Sequence, residues 1–240
     1  VLGRIVRTAL LAGAIAGLFA WALQMVRTTP LILKAEVYEE MAEKAKAAPP
    51  GQAGAAVQTA GHGHETVAGK DEWEPAEGFA RNAFTLLASV ITAIGFAFLL
   101  TGAIALSGRA VDWQQGIIWG LAAYAAFYVS PSLGLPPEVP GMEAAPLSHR
   151  QVWWLATAVA TALALALIFF APKLVWKAVA VVLIVAPHVI GAPAHTPEPG
   201  PLPAALAAEF AVASLVTVGL FWMALGGLTG YFYRRFGSSG

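Results

Sequence analysis

Five histidines carry most of the metal-binding or acid–base chemistry open to this chain near neutral pH, and four of them sit in two short stretches. GHGHE presents His62, His64 and Glu65 beside glycines that let the backbone fold around an ion. On extended backbone a two-residue spacing turns both imidazoles to one side, although a lone motif of this length has low specificity. APHVIGAPAHTPEPGPLP, residues 186–203, holds His188 and His195 among prolines, with a hydrophobic run on either side and no lysine or arginine. His149 closes PSLGLPPEVPGMEAAPLSH, where Glu138, Met142 and Glu143 add candidate oxygen and thioether donors. Imidazole suits divalent transition ions, whereas carboxylates alone suit Mg or Ca. The absence of cysteine excludes disulfides, thiolate metal sites and thiol nucleophiles.

The elements that position these groups follow from hydropathy. Hydrophobic residues make up 58% of the 240, and only 12% are charged, about half the usual share in a soluble domain. Apolar runs at about 5–26, 83–106, 113–129, 152–171, 174–186 (or on to 190) and 206–233 are long enough, or nearly so, to cross a bilayer. Period-two alternation is absent, which argues against a β-barrel. Arg4 and Arg7 precede the first run, but its length of about twenty residues marks an anchoring helix rather than a signal core. The expectation is an all-α polytopic helix bundle: one membrane domain, residues 1–240, with about six transmembrane helices and outer loops at 27–82, 130–151 and 187–205.

Lysine and arginine collect on the cytoplasmic side of membrane helices. With six crossings, one side receives Arg4, Arg7, Arg109, Lys173, Lys177, Arg234 and Arg235, while the short loops opposite hold only Arg150. Both termini are therefore expected to be cytoplasmic. All five histidines then fall on the outer face, where a loop without positive charge also suits a cation.

The first outer loop opens with LILKAEVYEEMAEKAKAA, expected as a helical extension with Glu36 and Glu40 one turn apart, and Glu39 and Glu43 likewise. The plainer reading is a solvated amphipathic helix. A Gly/Ala/Pro-rich linker follows, containing His62 and His64. Pro187 is expected to disrupt the fifth helix just before His188 and free backbone carbonyls there. His188, still in apolar surroundings, is the preferred functional histidine; the alternative is a buried structural hydrogen bond. His149 and Arg150 also read as headgroup-level residues before Trp153 and Trp154. Glu209 is the only carboxylate in the expected spans, a costly placement that suggests it faces the same vestibule as His188. The pairs Gly13/Gly17, Gly116/Gly120 and Gly226/Gly230 are GxxxG spacings for close helix approach.

Other chemistry is missing. No GxxxxGK[ST] phosphate loop occurs, and no serine–histidine or paired-carboxylate constellation stands on the helices, so an enzyme and an organic cofactor are not expected. A net charge of zero argues against nucleic acid as partner.

The phrases GRIVRTALLAGAIAGLFAWALQMVRTTPLILKAEVYE, GLPPEVPGM and APHVIGAP resemble the CbtA family of proposed cobalt transporter subunits. The resemblance covers nearly the whole chain. It rests on Thr29, Pro30, Glu36, Tyr38, Glu39, Pro136, Glu138, Gly141, Pro187, His188, Gly191 and Pro193. It implies cobalt uptake linked to cobalamin synthesis across a bacterial inner membrane. It also implies a small single-helix partner, CbtB, with a histidine-rich tail. The expected ligands for cobalt, or another divalent transition ion, are His188, His195, His62, His64 and His149, with Glu209, Glu138, Glu143, Glu36 and Glu40 as further donors. The competing expectation is an accessory membrane subunit that scaffolds a larger complex without transporting.

Overall fold

The structure, a computed structural model, describes residues 1–47, 78–140, 142, 144–193 and 202–237. Among the described residues every regular element is helical. Helix α1 (Leu2–Arg27) runs almost directly into α2 (Thr29–Ala47). Thr28 between them keeps helical dihedrals, and Pro30, which has no N–H to give, interrupts the ladder. Helix α3 (Phe79–Ser107) stops at Gly108, whose φ of 64° is left-handed. Asp112 then starts α4 (Trp113–Tyr124) through a capping box: its carboxylate accepts from the Gln115 N–H at 2.9 Å, and the Gln115 side chain accepts from the Asp112 N–H at 3.1 Å. A π-helical turn, Ala125–Val129, carries α4 into the single turn α5 (Ser130–Ser132). Helices α6 (Leu147–Phe170), α7 (Leu174–Ile190) and α8 (Ala204–Gly237) follow.

Four of these helices, α1, α3, α6 and α8, are long and apolar enough to cross a membrane; α7 is apolar but shorter, at 17 residues. Their exposure pattern suits lipid. Buried positions in α1 and, apart from Trp153, in α6 are small, such as Ala12, Ala16, Ala158 and Thr161, while Leu18, Leu155 and Leu163 face outward. Lipid tails are as apolar as leucine, so large side chains gain little by turning inward, and small ones let backbones approach.

Helix α8 lies at the centre, against α1, α3 and α4, and α1 also lies along α3. Two glycine contacts fix these approaches. A Cβ on Gly13 would fall 2.5 Å from the Ile94 Cα, and one on Gly17 2.6 Å from the Val90 Cα. Between α4 and α8, Gly116 and Gly120 meet Gly226 and Gly230, where a Cβ on Gly226 would lie 2.8 Å from the Gly120 Cα. All six glycines of the GxxxG spacings therefore sit at contacts within one chain. Beside them Trp222 stacks on Phe127 at 5.9 Å in the main core. The α6–α7 hairpin joins this group through the π-turn and α5.

The two ends of the bundle differ in charge. At one, the Arg4 Nε donates to the Tyr233 carbonyl at 2.6 Å, and Arg7 lies 5.0 Å from the Phe236 ring. Gly230 abuts Asp112 at the start of α4, and Arg109 lies 4.5 Å over Phe170 at the end of α6. At the other end Leu31 and Ala35 of α2 cluster with Val139, Leu206 and Phe210, and two arginines there are paired, Arg81 with Glu36 and Arg150 with Glu138.

One local expectation is corrected. Pro187 does not end its helix: α7 runs through it to Ile190 and stops at Gly191, whose φ is 89°. Proline removes one ladder donor without forcing a stop, so the acceptor left free is the carbonyl one turn earlier, at Leu183.

Candidate functional site at His188

Sequence and local geometry place His188 half-buried in the last turn of α7, one residue after the buried Pro187. The Pro187 carbonyl accepts from the Gly191 N–H at 3.0 Å and from the Trp153 indole N–H at 3.2 Å. Trp153 thus ties α7 to α6 and presents its ring to His188 edge-on, with centroids 6.0 Å apart.

The π-turn supplies the second element. Its i→i+5 bonding, from the Ser130 N–H to the Ala125 carbonyl, re-aims the chain just before Ser130. Single π-turns inside α-helices recur at functional sites. The buried Ser130 Oγ lies 3.3 Å from the His188 Nε2 and accepts from the Thr161 hydroxyl at 2.9 Å. Two arrangements satisfy this triad. With the ring proton on Nε2, His188 donates to Ser130 and the Nδ1 lone pair is left for an ion. With the proton on Nδ1, Ser130 donates to Nε2. The first resembles the arrangement of many metal-binding histidines, whose other ring nitrogen gives its proton to a fixed acceptor.

More hydroxyls surround the π-turn. The Tyr124 hydroxyl donates to the Leu215 carbonyl at 2.7 Å, and the Tyr128 hydroxyl lies near the Ser214 side chain. Thr157, one turn before Thr161 on α6, is fully buried and its hydroxyl has no partner among the described residues. These groups form a polar seam around the π-turn, in a bundle that also buries hydroxyls at Thr8, Thr101 and Thr229.

The remaining candidates are dispersed. Arg150 donates to Glu138 at 2.6 Å on the wall of a cavity of about 590 Å³ that Pro131 and Trp154 also line. Glu36 is held by both terminal nitrogens of Arg81, one at 3.2 Å. Glu40 pairs with Lys44 at 3.5 Å on the exposed face of α2. His149 is exposed in the first turn of α6. Glu209 is exposed on α8, whereas the contacts of His188 come from α5 and α6, so the structure does not bring these two together. His62, His64, His195 and Glu143 lie outside the described residues. Among the described residues no three His, Asp or Glu gather closely enough to hold a metal ion.

Sequence reasoning missed Ser130, Thr161 and Trp153 as neighbours of His188. The available signal was a serine and a pair of threonines one turn apart inside hydrophobic runs, where polar groups need partners.

Helices of this length and apolarity, packed through small residues with large apolar ones facing outward, define a multi-pass helical membrane protein. The chain belongs to the CbtA family, described as a probable cobalt transporter subunit, which matches residues 2–234. No curated protein and no solved structure matches the chain.

Proposed function

We propose that this chain is the membrane-embedded, non-enzymatic subunit of an uptake system for cobalt, or a related divalent ion, that feeds cobalamin synthesis across a bacterial inner membrane. Family membership over residues 2–234 is the observation that carries the reading. Six crossings with both termini in the cytoplasm suit the gathering of Arg4, Arg7 and Arg109 at one end. The stretch from Trp113 to Ser132 is helical throughout and about 30 Å long at 1.5 Å per residue, enough for the third crossing. His188 receives the ion, with Ser130 and Thr161 fixing its tautomer, and the hydroxyl seam offers oxygen contacts further in. His195, His62, His64 and His149 act as capture ligands on the outer loops, with Glu138, Glu143, Glu36, Glu40 and Glu209 as further donors. A small single-helix, histidine-rich partner of the CbtB kind completes the system.

A second reading, an accessory subunit that scaffolds a larger complex, draws on the dispersal of acids and imidazoles among the described residues.

Labelled-cobalt uptake by cells expressing the chain, with and without the small partner, separates the two. The expected result is loss of uptake in His188→Ala and an apparent affinity about tenfold weaker in Ser130→Ala, the lower end for removing a partner of a metal-binding histidine. Equal uptake by His188→Ala and wild type at equal membrane abundance removes His188 from the mechanism. Native purification that yields a fixed assembly unrelated to metal supply favours the scaffold.

A further inference from the structure

A second cavity lies at the arginine end, with Arg109 in its wall. It is a groove of about 760 Å³ lined from Phe96 to Ser107 on α3, from Gln115 to Phe127 on α4 and the π-turn, and from Ala162 to Phe170 on α6. At 1.5 Å per residue these linings run about 16, 18 and 12 Å along their helices. Half of a 30 Å hydrocarbon core is about 15 Å. The groove therefore has the depth of one leaflet, whereas a partner's transmembrane helix would need a furrow of twice that length. The small-residue contacts that let helix backbones approach are also already used inside the chain, at α1–α3 and α4–α8.

The headgroup end of this groove is cationic. Arg109 lines it, exposed, with its guanidinium 4.5 Å over the Phe170 ring. No carboxylate among the described residues pairs with Arg109, and the nearby Asp112 is engaged in capping α4. Lys173, three residues beyond Phe170, is exposed as well. Basic pockets between transmembrane helices at a membrane face are suited to phosphate-bearing lipid headgroups.

We propose that the α3–α4–α6 groove binds an anionic glycerophospholipid from the leaflet at the arginine end, its phosphate on Arg109 and an acyl chain along Ala162 and Ala166. The assignment stands on this groove alone and does not depend on what the protein transports.

Native mass spectrometry of the purified full chain, titrated with phosphatidylglycerol or with zwitterionic phosphatidylcholine, tests it. Wild type retains phosphatidylglycerol in preference. Arg109→Gln lowers that retention about fivefold, as expected for one cation at a membrane surface, and leaves phosphatidylcholine unchanged. Ala166→Phe, which fills the groove from an exposed position, lowers retention of both lipids. Lys34→Gln, an exposed cation on α2, leaves the preference intact. An unchanged lipid preference in Arg109→Gln, an equal loss in Lys34→Gln, or full retention in Ala166→Phe overturns the assignment. So does a lipid-free dimer, which would mark the groove as a contact between copies.

Discussion

Trp153 donates its indole N–H to the Pro187 carbonyl across 3.2 Å and sets its ring edge-on to His188, 6.0 Å between centroids. One side chain on α6 thus fixes both the backbone and the imidazole at the end of α7. The bond matters because α7 packs mainly on α6, and it adds a second donor to a carbonyl that already accepts from the Gly191 N–H.

Trp153→Phe keeps an aromatic ring in place but removes the donor. The expected loss is about 1 kcal/mol, the net worth of one hydrogen bond. Trp153→Ala also empties the space of a large buried side chain and costs about 3–5 kcal/mol. Unfolding of the purified protein in micelles gives both values. No loss in Trp153→Phe beside a full loss in Trp153→Ala would mean that packing alone, without the Pro187 bond, holds α6 to α7.

The glycine contacts predict opposite outcomes for one type of substitution. A Cβ on Gly120 would meet the Trp222 carbonyl and lie 3.0 Å from the Gly226 Cα, so Gly120→Ala forces α4 from α8. A cost of about 1–3 kcal/mol is expected, as for overpacking elsewhere. Gly102 on α3 has nothing within 4 Å of its added Cβ. Gly102→Ala should therefore raise stability by up to about 1 kcal/mol through helix propensity alone. The two are compared as purified variants by thermal unfolding, and a destabilised Gly102→Ala would contradict this packing.

The membrane character and helical class were legible because hydropathy reports them directly. The apolar runs ending at about 106 and starting at about 113 match the end of α3 and the start of α4, which the structure shows to be set by Gly108 and the Asp112 cap. The surroundings of His188 were not. Ser130 reaches the ring across 58 positions of sequence, and a π-turn, which leaves no periodic mark in five apolar residues, aims it. Carboxylates misled for a related reason. Glu36 and Glu138 read as free donors because their partners, Arg81 and Arg150, lie 45 and 12 positions away. Pro187 misled because a proline near a helix end signals a stop, yet a helix buried against Trp153 tolerates it.

The pair between Glu36 and Arg81 predicts how α2 is held. Arg81 meets Glu36 through both terminal nitrogens, a fork geometry stronger than a single contact, and ties α2 to the first turn of α3. Both side chains are about one-third exposed, at 35% and 30%, so water and salt screen the pair and its worth is limited to about 1 kcal/mol. Glu36→Gln should therefore speed amide exchange along residues 29–47 about fivefold while leaving α1 unchanged, and added salt should shrink the difference. Leu31 and Ala35, buried against Val139 and Phe210, keep the base of α2 in place in the variant. Hydrogen–deuterium exchange with mass detection reads both regions in one sample. Exchange that rises equally in α1 and α2 would show the two helices opening as one unit, with the Arg81 contact holding neither apart from the other.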